Sequence, residues 1–246
     1  MKTIFLLALL GLTDAALAQR YYRFFRGVKL QQLPESAYLG NMARDFVPLA
    51  PRLFPHLENY LVAIPARETG VDEVALLSYT SEEAYLRGRA TPLGKGYGDA
   101  HWTVFEQSES GSLVPEELRG PLQANRAYDL IGKKLDWSRG YTNFFIGEKK
   151  AGLSSEAFLR GLDQHVRKVR HFFRGAGLLG YVIIATPDRE YAFMNWESKS
   201  HADYAMAHPA GKLVRAEAES LMKTLNWTVS ERFQGRLSRN QTYTVK

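Results

Sequence analysis

The chain has no cysteine in 246 residues. Disulfides, thiolate-ligated zinc, iron–sulfur clusters and a thiol nucleophile are excluded together, and a chain of this length buries enough surface to fold without cross-links. Extended apolar runs are scarce too. The longest lies at the start, Ile4 to Leu10, preceded by Lys2 and followed by Ala16-Leu17-Ala18 before Gln19. This is the layout of an export signal cleaved after Ala18, and it falls short of the about 20 apolar residues of a membrane span. Residues 1–18 are therefore expected to be removed, leaving a soluble protein with no membrane span, exported to the periplasm or the medium.

Neither sign of charge dominates: 32 Lys and Arg stand against 26 Asp and Glu, a net +6 that favours small anionic ligands. Basic residues are interleaved with acidic ones almost everywhere. Arg160, Arg167, Lys168, Arg170 and Arg174 form the one dense run, which reads as the solvated face of a helix, so no nucleic-acid partner is expected.

What the chain does have is a repeat. Tyr21, Phe24, Phe25, Lys29, Leu33, Ala37 and Leu39 recur 120 positions later as Tyr141, Phe144, Phe145, Lys149, Leu153, Ala157 and Leu159. A period this long is that of a small domain, well beyond the about 20–50 residues of solenoid units. Two related domains facing one another suggest a shared cleft between them. The boundaries read as a first repeat over 19–112, a linker over 113–139 and a second repeat over 140–246.

Hydrophobic periodicity predicts the elements of each copy. In the first they are a strand Tyr21–Leu30, a helix Pro34–Val47, strands Leu57–Ile64 and Glu73–Tyr79, a helix from Ser81 to Arg89 and a strand Trp102–Gln107. The glycine-rich run Thr91 to Gly98 is expected to be a loop that cuts that second helix short. In the second copy the order is strand Tyr141–Lys149, helix Ser154–Phe173, strands Gly180–Ala185 and Tyr191–Trp196, helix Ala202–Leu225 and strand Trp227–Phe233. Helix and loop are expected over Val114 to Trp137, and Ser138-Arg139-Gly140 reads as a turn into the second copy. The order βαββαβ, twice, gives an α+β fold of two tandem ferredoxin-like repeats in a dimeric α/β barrel-type architecture. Alternation along the first strand sets Tyr21, Arg23 and Phe25 on one face, matched by Tyr141, Asn143 and Phe145, an amphipathic face suited to lining a cleft.

His165 is the most pointed candidate for chemistry. It falls within the apolar stripe of Phe158, Leu162, Val169 and Phe172, on the buried side of its helix. An imidazole there is either a hydrogen-bonded core residue or a ligand. Asp45 stands at the equivalent position of the first copy, so the fold itself does not require the histidine. Tyr204 and His208, one helical turn apart, and Tyr97 with His101, are candidate acid–base pairs.

The segment from Leu153 to His165 resembles the part of the chlorite dismutase family that ends in the proximal haem histidine. Lys149-Lys150 is similar to that family's propionate-binding Lys pair, Arg89-Ala90-Thr91-Pro92-Leu93-Gly94 to its Arg-x-Thr-x-Leu-Gly segment, and Phe193-Met194-Asn195-Trp196-Glu197 to its aromatic-acid strand. The resemblance implies haem b in the second repeat with His165 as iron ligand, Lys150 near a propionate, and Glu217 or Glu219 as partner of the imidazole. It places Leu178, Leu179 or Gly180 where chlorite-dismutating members carry a distal arginine, which argues against chlorite and for a small oxidant such as peroxide, with Arg174 or Arg23 as substitutes. Trp196-Glu197-Ser198-Lys199 is also similar to antibiotic-biosynthesis-type monooxygenases. That likeness implies the competing reading, a cofactor-free oxygenase, cyclase or lyase using Arg23, Asn143, Tyr204 and His208 on a small or acidic organic substrate. A binding protein without catalysis is the third reading. A homo-oligomer, ring or dimer, suits exposed sheet edges.

Overall fold

The computed structural model describes residues 20–131 and 135–246; the expected signal segment and Gly132 to Lys134 of the linker lie outside them. The first repeat runs β1 (Tyr21–Gly27), α1 (Glu35–Asn41) continued by a π turn over Met42–Phe46, α2 (Ala50–Leu53), β2 (Leu57–Ile64), β3 (Glu73–Tyr79), α3 (Glu82–Ala90), α4 (Pro92–His101) and β4 (Gly111–Leu113). Between the repeats lie β5 (Glu116–Glu117) and β6 (Arg126–Asp129). The second repeat runs β7 (Tyr141–Lys149), α5 (Ser155–Arg174), β8 (Leu178–Ala185), β9 (Arg189–Trp196), α6 (Lys199–Ala207), α7 (Pro209–Leu221) and β10 (Met222–Arg232), and β11 (Gln241–Thr244) follows.

The sheet order is β4-β1-β3-β2-β11-β10-β7-β9-β8-β6-β5. Within it β4-β1-β3-β2 and β10-β7-β9-β8 are two copies of one antiparallel ferredoxin-like order, so both repeats are present as complete units. The tail strand β11 is the seam. It pairs antiparallel with β2 and parallel with β10, and Thr242 and Thr244 meet Thr228 and Ser230 through hydroxyls 2.6 and 2.7 Å apart. Arg239 anchors the tail to the first repeat through Glu35 and Asp72.

Strand alternation sorts the side chains into three cores. Tyr22 and Phe24 of β1, Leu61 of β2, Leu76 of β3, Phe144 and Ile146 of β7 and Phe193 of β9 pack in a core shared by the two repeats. The opposite faces lie under the helices, one core per repeat. The expected shared cleft is therefore filled: Phe193 lies 4.8 Å from Phe144 and 5.5 Å from Phe24, ring centre to ring centre. Tyr21, Arg23 and Phe25 do share a face that lines a cavity, but it is the face beneath the first repeat's helices.

Several elements differ from expectation. The glycine-rich run is helix α4. Thr91 accepts from the Gly94 N–H as N-cap and Pro92 occupies the first turn, where a missing N–H costs nothing. A Cβ on Gly94 would lie 2.0 Å from the Gly88 carbonyl oxygen, so its absence lets α4 fold back on α3. The second repeat breaks its helix the same way, with His208 as N-cap, Pro209 in the first turn, and Gly211, whose Cβ would lie 1.9 Å from the Ala205 carbonyl oxygen. The single helix expected over Ala202–Leu225 is therefore two, and Met222 to Leu225 belong to β10. Trp102–Gln107 forms no strand. Phe105 makes one bridge to Lys29 and lays its ring over Gly27, and the fourth strand is Gly111–Leu113. The linker holds strands and, among the described residues, no helix, because β6 extends the sheet beyond β8. Gly140, at φ +80°, makes the predicted turn into β7. No helix among the described residues is long and apolar enough to cross a membrane.

The close approach at Gly94 is directly testable. Gly94→Ala should destabilise the protein by roughly 1–3 kcal/mol through backbone collision, whereas Gly96→Ala, with nothing within 4 Å of its would-be Cβ, should be neutral or stabilising by up to about 1 kcal/mol. Equal stabilities of the two variants in urea unfolding would contradict this packing.

Candidate functional site

Helix α5 begins at Ser154, whose hydroxyl accepts from the Ala157 N–H at 3.1 Å. It buries Phe158, Leu162, His165, Val166, Val169 and Phe173. Phe172 instead lies on the exposed side, 42% accessible. The outer face spends much of its charge on ion pairs, Arg160 with Glu156, Arg167 with Asp163 and Lys168 with Glu217. The dense basic run is thus a solvated helix face, as its sequence suggested.

Only 6% of His165 is exposed. Its Nδ1 lies 3.6 Å from Oε2 of Glu217, and both atoms are sealed from solvent without a hydrogen-bond partner. The other carboxylate oxygen of Glu217 accepts from Lys168. Burial lowers the His165 pKa, opposed by the nearby carboxylate and assisted by Lys168. A neutral imidazole carries one N–H, and with Nδ1 turned toward Glu217, Nε2 is the nitrogen left with a free lone pair. Glu219 pairs instead with Arg215 at 2.8 Å. Of the two glutamates that sequence left open, Glu217 is the one beside the histidine.

His165 lines a cavity of about 410 Å³ between helices and sheet. Val169, Phe173, Met206 and Val214 contribute from the helices, Phe145, Ala192 and Met194 from β7 and β9, and Met222 and half-exposed Trp227 from β10. Its size is within the range of about 300–1,000 Å³ usual for cofactor and ligand pockets. Among the described residues no group of three or more His, Asp or Glu side chains could hold a bare metal ion. A single imidazole suits a metal that arrives with ligands of its own.

Glu190 and Tyr181 bring buried polar groups from the sheet into the same cavity. Glu190, on β9, is 1% exposed, and its Oε1 accepts from the Tyr181 hydroxyl at 2.7 Å. Burial pushes its carboxyl up to about 7, with the Tyr181 hydrogen bond acting the other way. Glu190 can therefore hold or release a proton near neutral pH. Sequence reasoning missed it. The available signal was register: Glu190 stands opposite Gly147 as Glu73 stands opposite Gly27.

The other sequence candidates are dispersed. Leu178 is packed in the helix-side core at the start of β8 and is absent from the cavity wall. Lys150 is exposed in the turn after β7, its backbone N–H donating to the Leu221 carbonyl, while Lys149 donates to the Leu153 carbonyl at 2.7 Å. Lys29 makes the same bond to Leu33 in the first repeat, which makes this lysine a clamp on the turn before the helix. Arg174 is exposed at the end of α5. Tyr204 is 64% exposed, and His208 accepts from the Ala210 N–H as the cap of α7, so the pair serves helix geometry at the surface. Arg23 lines the cavity of the first repeat, and Asn143 is buried in the second. The four residues of the cofactor-free reading are not brought together.

No protein-family model matches the sequence, and no curated protein matches it either. Solved structures similar to the chain include a putative monooxygenase from Fusobacterium nucleatum (12% identity, covering 89% of this chain and 97% of that one, TM-score 0.46). They also include a putative chlorite dismutase (12%, 84% and 90%, 0.39) and a haem-binding protein from Thermus thermophilus (10%, 85% and 89%, 0.36). These neighbours include the kinds of protein that the sequence motifs resemble. The chemistry of this chain has to be read from its own cavity.

Glu190 makes stability depend on pH. Its folded pKa, about 7, exceeds the ordinary 4.5, so as pH rises the unfolded chain ionises first and the native state loses stability between about 4.5 and 7. Glu190→Gln removes this term. Its stability relative to the unmodified protein should rise by on the order of 3 kcal/mol between about pH 4.5 and 7.5 in denaturant titrations. A pH-independent difference would contradict a buried, protonated Glu190.

Proposed function

We propose that the second repeat binds haem b through His165 and that the protein is a haem-dependent oxidoreductase acting on a small oxidant such as peroxide. One observation carries this reading: a buried imidazole lines an apolar cavity, with its rear nitrogen set toward a carboxylate that a lysine holds. That set fits an iron porphyrin, which needs one strong axial donor, a partner controlling its basicity and apolar walls. His165 would supply the donor atom, Glu217 would accept from Nδ1–H and raise the electron richness of the ring, and Lys168 would temper Glu217. Arg215 is the guanidinium in the wall, and Glu219 neutralises it. Bound haem would supply one-electron and oxygen chemistry.

The chain's own residues then divide the remaining work. Phe145, Met194 and Trp227 exclude water from the sheet side, and Glu190 with Tyr181 holds a proton inside the cavity. Chlorite chemistry is disfavoured, because Arg215 is engaged by Glu219 and, among the described residues, no other arginine is in the wall. Export is part of the same proposal and rests on the amino-terminal segment alone. A cofactor-free reaction on an organic substrate is favoured by one feature, the Glu190–Tyr181 pair, which could serve as general base without a metal.

Haem titration separates the two readings. The unmodified protein should develop a Soret band with saturable, stoichiometric uptake, His165→Ala should lose the coordinated spectrum, and Glu217→Gln should weaken haem binding about 10–100-fold. Absence of a saturable Soret band in the unmodified protein overturns the haem reading, and a spectrum unchanged in His165→Ala moves the ligand elsewhere.

A further inference from the structure

The cavity beneath the first repeat's helices occupies the same place as the His165 cavity. Phe25 and Phe145 stand at one offset of 120, and beyond the shorter β8–β9 turn the offset becomes 117, as in Tyr79 with Trp196, opposite Tyr21 and Tyr141. At that offset Glu73 matches Glu190, Tyr97 matches Val214 and Arg89 matches Met206, and each member of these pairs lines its own cavity. The metal ligand is missing from the first copy. Asp45, in place of His165, lies outside the wall and pairs with Arg44 at 2.7 Å. His101 belongs to the wall, but its Nδ1 donates to the Tyr97 carbonyl at 2.7 Å and its ring packs against Phe25, Phe46 and Phe105.

We propose that this cavity, of about 280 Å³, is a second ligand site, specialised for a small aromatic anion. Aromatic rings, among them Phe25, Tyr60, Tyr79 and Tyr97, supply flat apolar walls. Two guanidinium groups share the cavity without a carboxylate partner among the described residues. Arg23 is held by Ser112 at 2.9 Å and by the Tyr21 hydroxyl at 3.2 Å, with its charge over the Tyr85 ring. Arg89 donates to the Gly94 carbonyl at 2.6 Å, in space that a side chain at Gly98 would fill. Both are pre-positioned for a planar anion.

Glu73 makes the site specific. It is 3% exposed, and its Oε2 is sealed without a partner. Burial raises its carboxyl to about 8, so at neutral pH it is a neutral acid that leaves the two arginines uncompensated. An unsatisfied buried acid is costly unless something pairs with it. A ligand with its anionic group at the arginines and a hydroxyl or carbonyl oxygen on the ring satisfies Glu73, the arginines and the aromatic walls together. Hydroxybenzoates have this chemistry.

The test is to titrate 4-hydroxybenzoate into the full chain and follow tryptophan fluorescence, since Trp102 lies in this wall and Trp227 in the other. Saturable quenching is expected in Trp227→Phe and should be lost in Trp102→Phe. Arg23→Gln and Arg89→Met should each weaken binding at least about tenfold, while His165→Ala should leave it unchanged. On the unmodified protein, neutral benzyl alcohol and ringless acetate should each bind at least about tenfold more weakly, a comparison that needs no variant to fold. No saturation, equal affinity for benzyl alcohol, or a signal that survives both arginine variants and disappears in His165→Ala would each overturn the proposal.

Discussion

The core packed between the two repeats is the constraint on which the rest depends. Phe24, Leu61, Phe144, Ile146 and Phe193 are wholly buried there, and each would strand several kcal/mol of favourable transfer energy if the halves separated. Trp137 ties the linker to the same core by donating from its indole N–H to the Tyr22 hydroxyl at 3.2 Å. This space is filled by side chains, and the two cavities described above lie on the other face of each repeat, under its own helices.

That displacement explains why one fold carries two cavities of different chemical character. The scaffold is repeated closely: serine caps at Ser81 and Ser198, helix breaks at Pro92 and Pro209, glycines at Gly94 and Gly211, buried acids at Glu73 and Glu190. The walls are not. Exchanging Asp45 for His165, Arg89 for Met206 and Tyr97 for Val214 turns a cationic, aromatic pocket into an apolar one with an imidazole in its wall. Electrostatics follow, since among the described residues the first cavity's two arginines have no carboxylate partner, and the second cavity's Arg215 is turned toward Glu219.

Much of this was legible in the sequence where burial imposes a simple period. The bounds of β2 and β3 match the expected ones, and the stripe on α5 put His165 on the buried face correctly. The glycine-rich helix α4 was not legible, because Gly94 and Gly98 serve tertiary contacts that run against local propensity. Strand β11 has no partner within four residues of sequence to announce it. Glu190 was hidden for another reason: both faces of β9 are buried, so alternation does not mark a polar residue there, and the change of offset from 120 to 117 hid its match with Glu73. Lys150, Leu178, Tyr204 and His208 were drawn in by motif similarity or spacing, and the fold uses them for turns, packing and capping.

The central claim is that the second cavity is a haem site and the first, though equivalent in position, is not. Iron-edge anomalous diffraction from crystals of the haem-loaded protein tests it most directly. The account predicts one iron peak per chain, at coordination distance from Nε2 of His165, with none beneath the helices of the first repeat. Iron in the first repeat's cavity, or iron bound without contact to His165, would contradict it.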